Sequence, residues 1–379
     1  MNIEKEEFFK DFDPFRIIRE ALKCGGDFAD LYFEDTMSTS IILEDDKLEK
    51  VIAGRDRGCG LRVIHNLKTH YAYTNDLTRA GLMELAGIVS GAVKAGVQGE
   101  VFPVLRKVIA PRFGIKVNPA SVALIEKIAL VKIGNKAARA YDKRVRQVKC
   151  VYGDGYRDTV VLNSNGERVE ENKSSLLFVA QVVADDGKVV QTGYEPIGGT
   201  VGFELFDDLP PDEVAVRASE RAVKMLRARK APGGTMSVVL SSEAGGTMIH
   251  EAIGHGLEAD LAEQGLSVYS GKLGEKVAGS IITVIDDATI PLKRGSSFFD
   301  GEGTPTERTV LVEGGVLKSY MHDRLSAMRA GGEVKSTGNG RRESYHFRPI
   351  PRMTNTLIAP GESNPDDILS SLDSGLFVK

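Results

Sequence analysis

Two dipeptides, Asn165-Gly166 and Asp186-Gly187, each set between stretches of alternating apolar and polar residues, constrain this chain more than anything else in it. Asn or Asp followed by Gly tolerates the positive φ angles that tight reversals need, so each pair marks a hairpin and commits Val151 to Val201 to antiparallel sheet. Asp154-Gly155 reads as a further break between short strands. The same alternation occurs earlier, where Asp30 to Glu34, Ser40 to Leu43 and Leu48 to Ile52 form a meander that Arg57 to Ile64 and His70 to Thr74 extend. Helical spacing covers Phe15 to Leu22, Leu77 to Ala95, Ala120 to Val148, and Pro211 to about Ala228. The third of these has a charged second half, with Lys143, Arg144, Arg146 and Lys149 expected on a solvated helix face.

Lys230-Ala231-Pro232-Gly233-Gly234 is the clearest linker, and it divides the chain into domains 1–231 and 232–379. A length of 379 residues suits two separate cores. The second domain opens with a strand, Met236 to Leu240, and turns β-rich through Ile281 to Ile285, Thr309 to Val312 and Leu317 to Met321. The expected fold is α+β: an antiparallel-sheet N-terminal domain with helices, then a β-rich C-terminal domain carrying a metal-binding helix.

Several function classes are disfavoured. A net charge of -4 leaves no electrostatic footprint for nucleic acid. The acidic start, Met1 to Glu7, has no apolar segment behind it, and no run of 18 apolar residues marks a membrane span. Cys24, Cys59 and Cys150 are few, odd in number and widely spaced, as in a reducing compartment, so a cytoplasmic protein is expected.

The chemistry concentrates at His250-Glu251-Ala252-Ile253-Gly254-His255. Two neutral imidazoles can hold a metal ion, and a carboxylate beside them can take a proton from water. Histidines four apart face the same way on a regular helix, but His250 and His255 are five apart, about 140° around it. The glycines resolve the difficulty. A π-bulge or kink at Gly254, followed by Gly256, would bring both rings onto one face. On a helical wheel Met248, Ile249, Ala252, Ile253, Leu257 and Leu261 form a burying side, opposite His250, Glu251, Gly254, His255 and Glu258. Thr247 is the expected N-cap.

The remaining candidates are weaker. His65 and His70 flank a hairpin, and His322 and His346 are expected to serve structural hydrogen bonds, although His322 lies in the domain that carries the motif. Asp286-Asp287 and Asp300-Gly301-Glu302-Gly303 read as acidic turns rather than calcium loops. Thr337-Gly338-Asn339-Gly340-Arg341-Arg342 reads as a tight turn beside the active site, with Arg341 and Arg342 as possible anion contacts.

The stretch His250 to Asp260 closely resembles the TldD branch of the TldD/PmbA family. The resemblance continues through Gly271 to Ala278, Asp300 to Pro305, His322 to Ala327 and Thr337 to Ser344, and at the front through Gly26 to Glu34 and Gly58 to Val63. It implies a zinc peptidase subunit that pairs with a related subunit, as a homo- or heterodimer, encloses a cavity and hydrolyses unfolded or extended peptides. The resemblance makes His250 and His255 zinc ligands and Glu251 the general base; His322, Arg341 and Arg342, from the reading of the residues themselves, are the possible substrate contacts. It also implies a third ligand, a cysteine in a C-terminal segment, and no cysteine follows Cys150. The expectation is therefore either a truncated second domain or a substitute ligand such as Glu258, which is otherwise a supporting residue behind the metal. A catalytically silent partner subunit that only shapes the peptide cavity is the alternative function.

Overall fold

The computed structural model describes residues 13–93, 99–102, 106–110 and 114–379. The acidic start Met1 to Glu7 and the expected end of the second helix at Ala95 lie outside the described residues. Helix α1 (Phe15–Ala21) leads into strand β1 (Phe28–Glu44), and β2 (Lys47–His65) returns beside it. The reversal is made by Asp45 and Asp46, both at positive φ (47° and 66°), a two-residue turn whose twist matches that of the strands. Asn66 and Leu67 repeat the device at 50° and 59° before β3 (Lys68–Thr74). There follow α2 (Arg79–Val93), β4 (Arg106–Ile109), α3 (Leu124–Tyr141), β5 (Val145–Asn163), β6 (Glu167–Asp185), β7 (Val190–Gly199), a short α4 (Leu205–Asp208) and α5 (Pro211–Met225). These strands form one seven-stranded sheet in the order β3-β2-β1-β5-β6-β4, with β7 also on β6; only β4 runs parallel to its neighbour.

Three sequence expectations change here. Strand β1 runs unbroken through Asp35 to Thr39, and β5 runs through Asp154-Gly155, because each is paired along its length and those partners satisfy the backbone that a turn would otherwise free. The helix expected from Ala120 to Val148 ends at Tyr141. Asp142 is extended there and accepts from the Arg144 backbone at 2.9 Å, so Lys143 to Lys149 lie on a turn and on β5 rather than on a helix face.

A strand points successive side chains to opposite faces, and this sheet uses its two faces differently. One face is covered by α1 and α2 at one end, with Ile17, Ile18, Leu31, Leu61, Leu82 and Leu85 buried together. At its other end α3 and α5 pack over Ile41, Tyr152, Phe178, Val182, Val131 and Val214. The opposite face carries Asp30, Tyr32, Arg62 and Val161, and the second region packs on it.

That region holds β8 (Val238–Leu240), α6 (Ser242–Ile249), β9 (Val284–Asp287), β10 (Arg308–Glu313), β11 (Val316–Leu317), β12 (Gly340–Arg341), β13 (Ile350–Pro351), β14 (Thr356–Ile358) and β15 (Leu376–Val378). Its strands are short and much of the chain between them is loop. The sheet β11-β10-β9-β14 surrounds a small core of Leu257, Val284, Leu311, Met321 and Met353, and β8 pairs in parallel with β15. Residues 228–237, between α5 and β8, carry no helix or strand.

Buried charge locks the two regions together. Asp30 takes hydrogen bonds from Arg62, at 2.8 Å through Nε, and from Arg342 of the second region. Arg62 reaches Glu302 at 2.7 Å, and Glu302 accepts from the Arg324 backbone at 2.7 Å. Tyr345 packs closely on β2 because position 58 is Gly: a Cβ there would fall 2.2 Å from its ring.

Candidate metal centre

The motif helix begins earlier than its sequence suggests. Ser241, not Thr247, is the N-cap; its side chain accepts from the Ala244 backbone at 3.3 Å, and α6 starts at Ser242. After Ile249 the helix widens into a π turn over His250–Gly254 and then tightens into a 3-10 turn over His255–Leu257. A wider turn places residues five apart on one face, and the His250 and His255 rings lie 4.7 Å apart between centroids, edge to face. Potential ligand atoms of His250, Glu251 and His255 all lie within 4.8 Å of one another. The expected convergence is present.

Gly254 makes the turn possible in a second way. Met353 packs directly against it, and a Cβ at 254 would fall 2.0 Å from the Met353 sulfur. The wheel drawn on a regular helix fails on both sides of this glycine. Gly254 and Glu258 are buried, while Met248 and Ala252, assigned to the burying side, are exposed. The π turn breaks the 3.6-residue phase from His250 onward, which accounts for Ala252, Gly254 and Glu258; Met248 precedes that turn and is exposed on regular helix.

His250 and Glu251 are exposed and His255 is half-buried, so an ion held here would face solvent on one side. Behind it, His255 Nδ1 lies 3.2 Å from Glu258 Oε1, and the other Glu258 oxygen lies 3.1 Å from Arg352 Nη1. Glu258 is fully buried. Burial pushes its carboxyl upward, against the pull of Arg352 and His255. A carboxylate at Nδ1 takes a hydrogen bond only from a protonated nitrogen, which leaves Nε2 as the bare ring nitrogen. Met321 holds Glu258 in place by donating to the Leu257 carbonyl at 2.8 Å and accepting from Ala259 at 3.0 Å. One Glu258 oxygen is thus engaged by the Nδ1 of His255 and the other by Arg352, an arrangement that suits a supporting role behind His255.

Two imidazoles and a carboxylate within reach of one another form the donor set of a borderline-soft divalent ion such as zinc. The residues fit a metal.

His322 does not join them. It is buried, with Nδ1 3.1 Å from Ser326 Oγ, and burial lowers its pKa. Arg342 borders the cavity described next, but its side chain is fully buried and engaged by Asp30 and by the Gly301 carbonyl at 2.8 Å. Arg341 is exposed and lines a cavity of about 380 Å³ that also takes in Arg352 and Met353. The Asp300 segment behaves as the expected turn, its carboxylate accepting from Glu302, Thr304 and Gly340 backbone N–H groups at 2.9 Å. Asp286 is no loop residue; it lies on β9 and accepts from Asn339, Thr354 and Thr356. Arg352 and Met353 escaped the sequence reading as site residues. They lie about a hundred positions from the motif, and no spacing signal ties them to it.

No described helix is long and apolar enough to cross a membrane, and the three cysteines are unpaired.

Comparison with known proteins matches three family models in succession: PmbA/TldA metallopeptidase domain 1 over residues 29–95, the central domain over 117–226 and the C-terminal domain over 233–379. A metalloprotease TldD homolog from Buchnera aphidicola of Acyrthosiphon pisum is 35% identical across 97% of this chain and 77% of its own length. A metalloprotease from Methanothermobacter thermautotrophicus is 35% identical over 93% of this chain and 76% of its own. Among solved structures, a Thermotoga maritima protein described as a candidate modulator of a DNA gyrase superposes with a TM-score of 0.78 at 24% identity, covering 98% of this chain and 81% of that one. TldE from Thermococcus kodakarensis superposes with a TM-score of 0.71 at 20% identity, over 95% and 81%. These two likenesses establish the fold, a mixed α+β architecture with antiparallel sheets.

Proposed function

Because this chain belongs to the PmbA/TldD metallopeptidase family, we propose that it is a zinc-dependent peptidase subunit acting on unfolded or extended peptides. The observation that carries this reading is the meeting of His250, Glu251 and His255 within 4.8 Å on one solvent-facing turn. His250 and His255 hold the ion, and Glu258 keeps the His255 ring aimed. A bound zinc ion would supply Lewis acidity toward water and toward the peptide carbonyl. Glu251 accepts the proton of the attacking water and returns it to the amide nitrogen as the peptide bond breaks. Its exposure suits a base that must reach a substrate arriving from solvent.

We further propose that residues 1–231 and 232–379 are its two domains, supported by the segment without helix or strand between α5 and β8, and that a related subunit is its partner, supported by the likeness to TldE. The unpaired cysteines support a cytoplasmic setting.

The test is Glu251→Gln, which removes the base and leaves both imidazoles. Peptide release should fall below detection while zinc per chain stays within error of the unmodified protein. Turnover that survives the substitution would refute the general-base role; a chain with no turnover before substitution, alone or with its partner, would point to the silent-subunit alternative.

A further inference from the structure

The cavity of about 380 Å³ lies between the charged face of the central sheet and the loops of the second region. Arg157 on β5 and Lys173 on β6 are directly opposed across the ladder, and both line it. Like charges in that relation destabilise a sheet. Arg294 and Arg341 face the same space from the second region. Among the described residues, neither Lys173, Arg294 nor Arg341 has a carboxylate within ion-pairing distance.

The two carboxylates that line the cavity, Glu171 and Asp300, are already used, and Glu343 adds one negative charge beside Arg341. Glu171 accepts from Ser297 Oγ at 2.9 Å and from the Phe298 backbone at 2.7 Å, and Asp300 accepts from three backbone N–H groups. Arg157 pairs with Glu34 at 3.3 Å, and Arg352 with Glu258 at 3.1 Å. A chain of net charge -4 therefore concentrates an excess of positive charge in one recess. Burial, with Arg341 and Arg157 nearby, holds the Lys173 ammonium down to about 8 despite the pull of Glu171. The recess also touches the metal centre: Arg352 and Met353 line it, the first braced on Glu258 and the second packed against Gly254.

We propose that this cavity is a subsite for a carboxylate of the peptide substrate, with Lys173 and Arg341 as its principal contacts. The inference rests on the peptidase reading above. Guanidinium and ammonium groups pair well with carboxylates, and an extended peptide offers two sources, its C-terminal α-carboxylate and its Asp or Glu side chains.

The experiment uses the full chain carrying Glu251→Gln, so that binding is read without turnover, and measures fluorescence anisotropy with three probes. These are N-dansyl-penta-alanine as the free acid, the same peptide as its C-terminal amide, and that amide with one alanine replaced by glutamate. At least one charged probe should bind about tenfold tighter than the neutral amide, as for a partly buried ion pair, and Lys173→Gln with Arg341→Gln should erase the difference. Preference for the free acid identifies the α-carboxylate as the ligand; preference for the glutamate probe identifies the side chain. Equal binding of all three probes, no binding of any, or a preference that survives both substitutions would overturn the proposal. Should Lys173→Gln fail to fold, Arg341→Gln alone, at an exposed position, must still reduce the preference. Turnover by the unmodified chain is assayed separately, so an absence of hydrolysis with the charge preference intact counts against the peptidase reading and not against the subsite.

Discussion

On one face of the central sheet Leu31, Leu61 and Leu162 meet the helices; one residue along the same strands, Asp30 and Arg62 turn the other way and meet Arg342 and Glu302. The first face is mostly apolar, with Lys127 and Asp154 as a buried ion pair at 2.6 Å near one end. The second is a network of buried charge with a basic recess beside it. Apolar packing is non-directional, so the helix face can tolerate many arrangements of similar volume. Buried ion pairs hold only in one geometry, because a misplaced charge loses both its partner and its water. The helix face makes a stable sheet, and the charged face decides where the region carrying the His250–His255 turn sits on it.

The largest effect should come from breaking that second kind of contact. Arg62→Met leaves Glu302 without its guanidinium and Asp30 with one cation fewer, and should cost about 3–5 kcal/mol in urea unfolding. Leu82→Ala on the helix face should cost a similar amount, about 2–5 kcal/mol. The two should differ in where the loosening appears: Arg62→Met should raise native-state proteolysis in residues 296–306 and 340–347, and Leu82→Ala should not. Equal cleavage of those loops in both variants would erase the distinction between the faces.

A smaller effect is expected at the candidate metal centre. Glu258→Gln weakens the orienting contact on His255 and the brace to Arg352, so zinc affinity measured by chelator competition should fall about 10–100-fold. An unchanged affinity would remove Glu258 from the support of the centre.

The smallest belongs to the exposed end of the first hairpin, where Arg139 pairs with Asp45 at 2.6 Å. Arg139→Ala should change stability by about 0–1 kcal/mol, since solvent screens such a pair. A loss as large as that of Arg62→Met would mean that burial is not what separates the two kinds of ion pair.

Much of this was legible before any coordinates. The hairpins at Asn165-Gly166 and Asp186-Gly187, the helices α1, α2 and α5, and the convergence of His250 with His255 through a distorted turn all follow from local spacing and glycine placement. The overextended helix past Tyr141 was not legible, because charged residues such as Arg144 and Lys149 fit a solvated helix or a strand face equally well. The split of β1 was misread for a related reason: Asp35 to Thr39 look like a turn until strands on both sides pair with them.

What the sequence alone determined is the chemistry and its local carriers: two imidazoles and a carboxylate on one helical turn, and strand reversals at Asn165-Gly166 and Asp186-Gly187, though not at Asp154-Gly155, through which β5 runs on. What only the tertiary structure decided is which side chains share a face. Asn-Gly commonly makes a two-residue turn, yet here only Gly166 has positive φ (80°), and Leu162 pairs with Arg168. That register, one residue away from the simplest reading, sets Arg157 opposite Lys173 above the recess. Side chains alternate with a period of two, so a one-residue slip would exchange every contact between the faces. Local residue types set the turn, and the register comes from the packing of both faces at once.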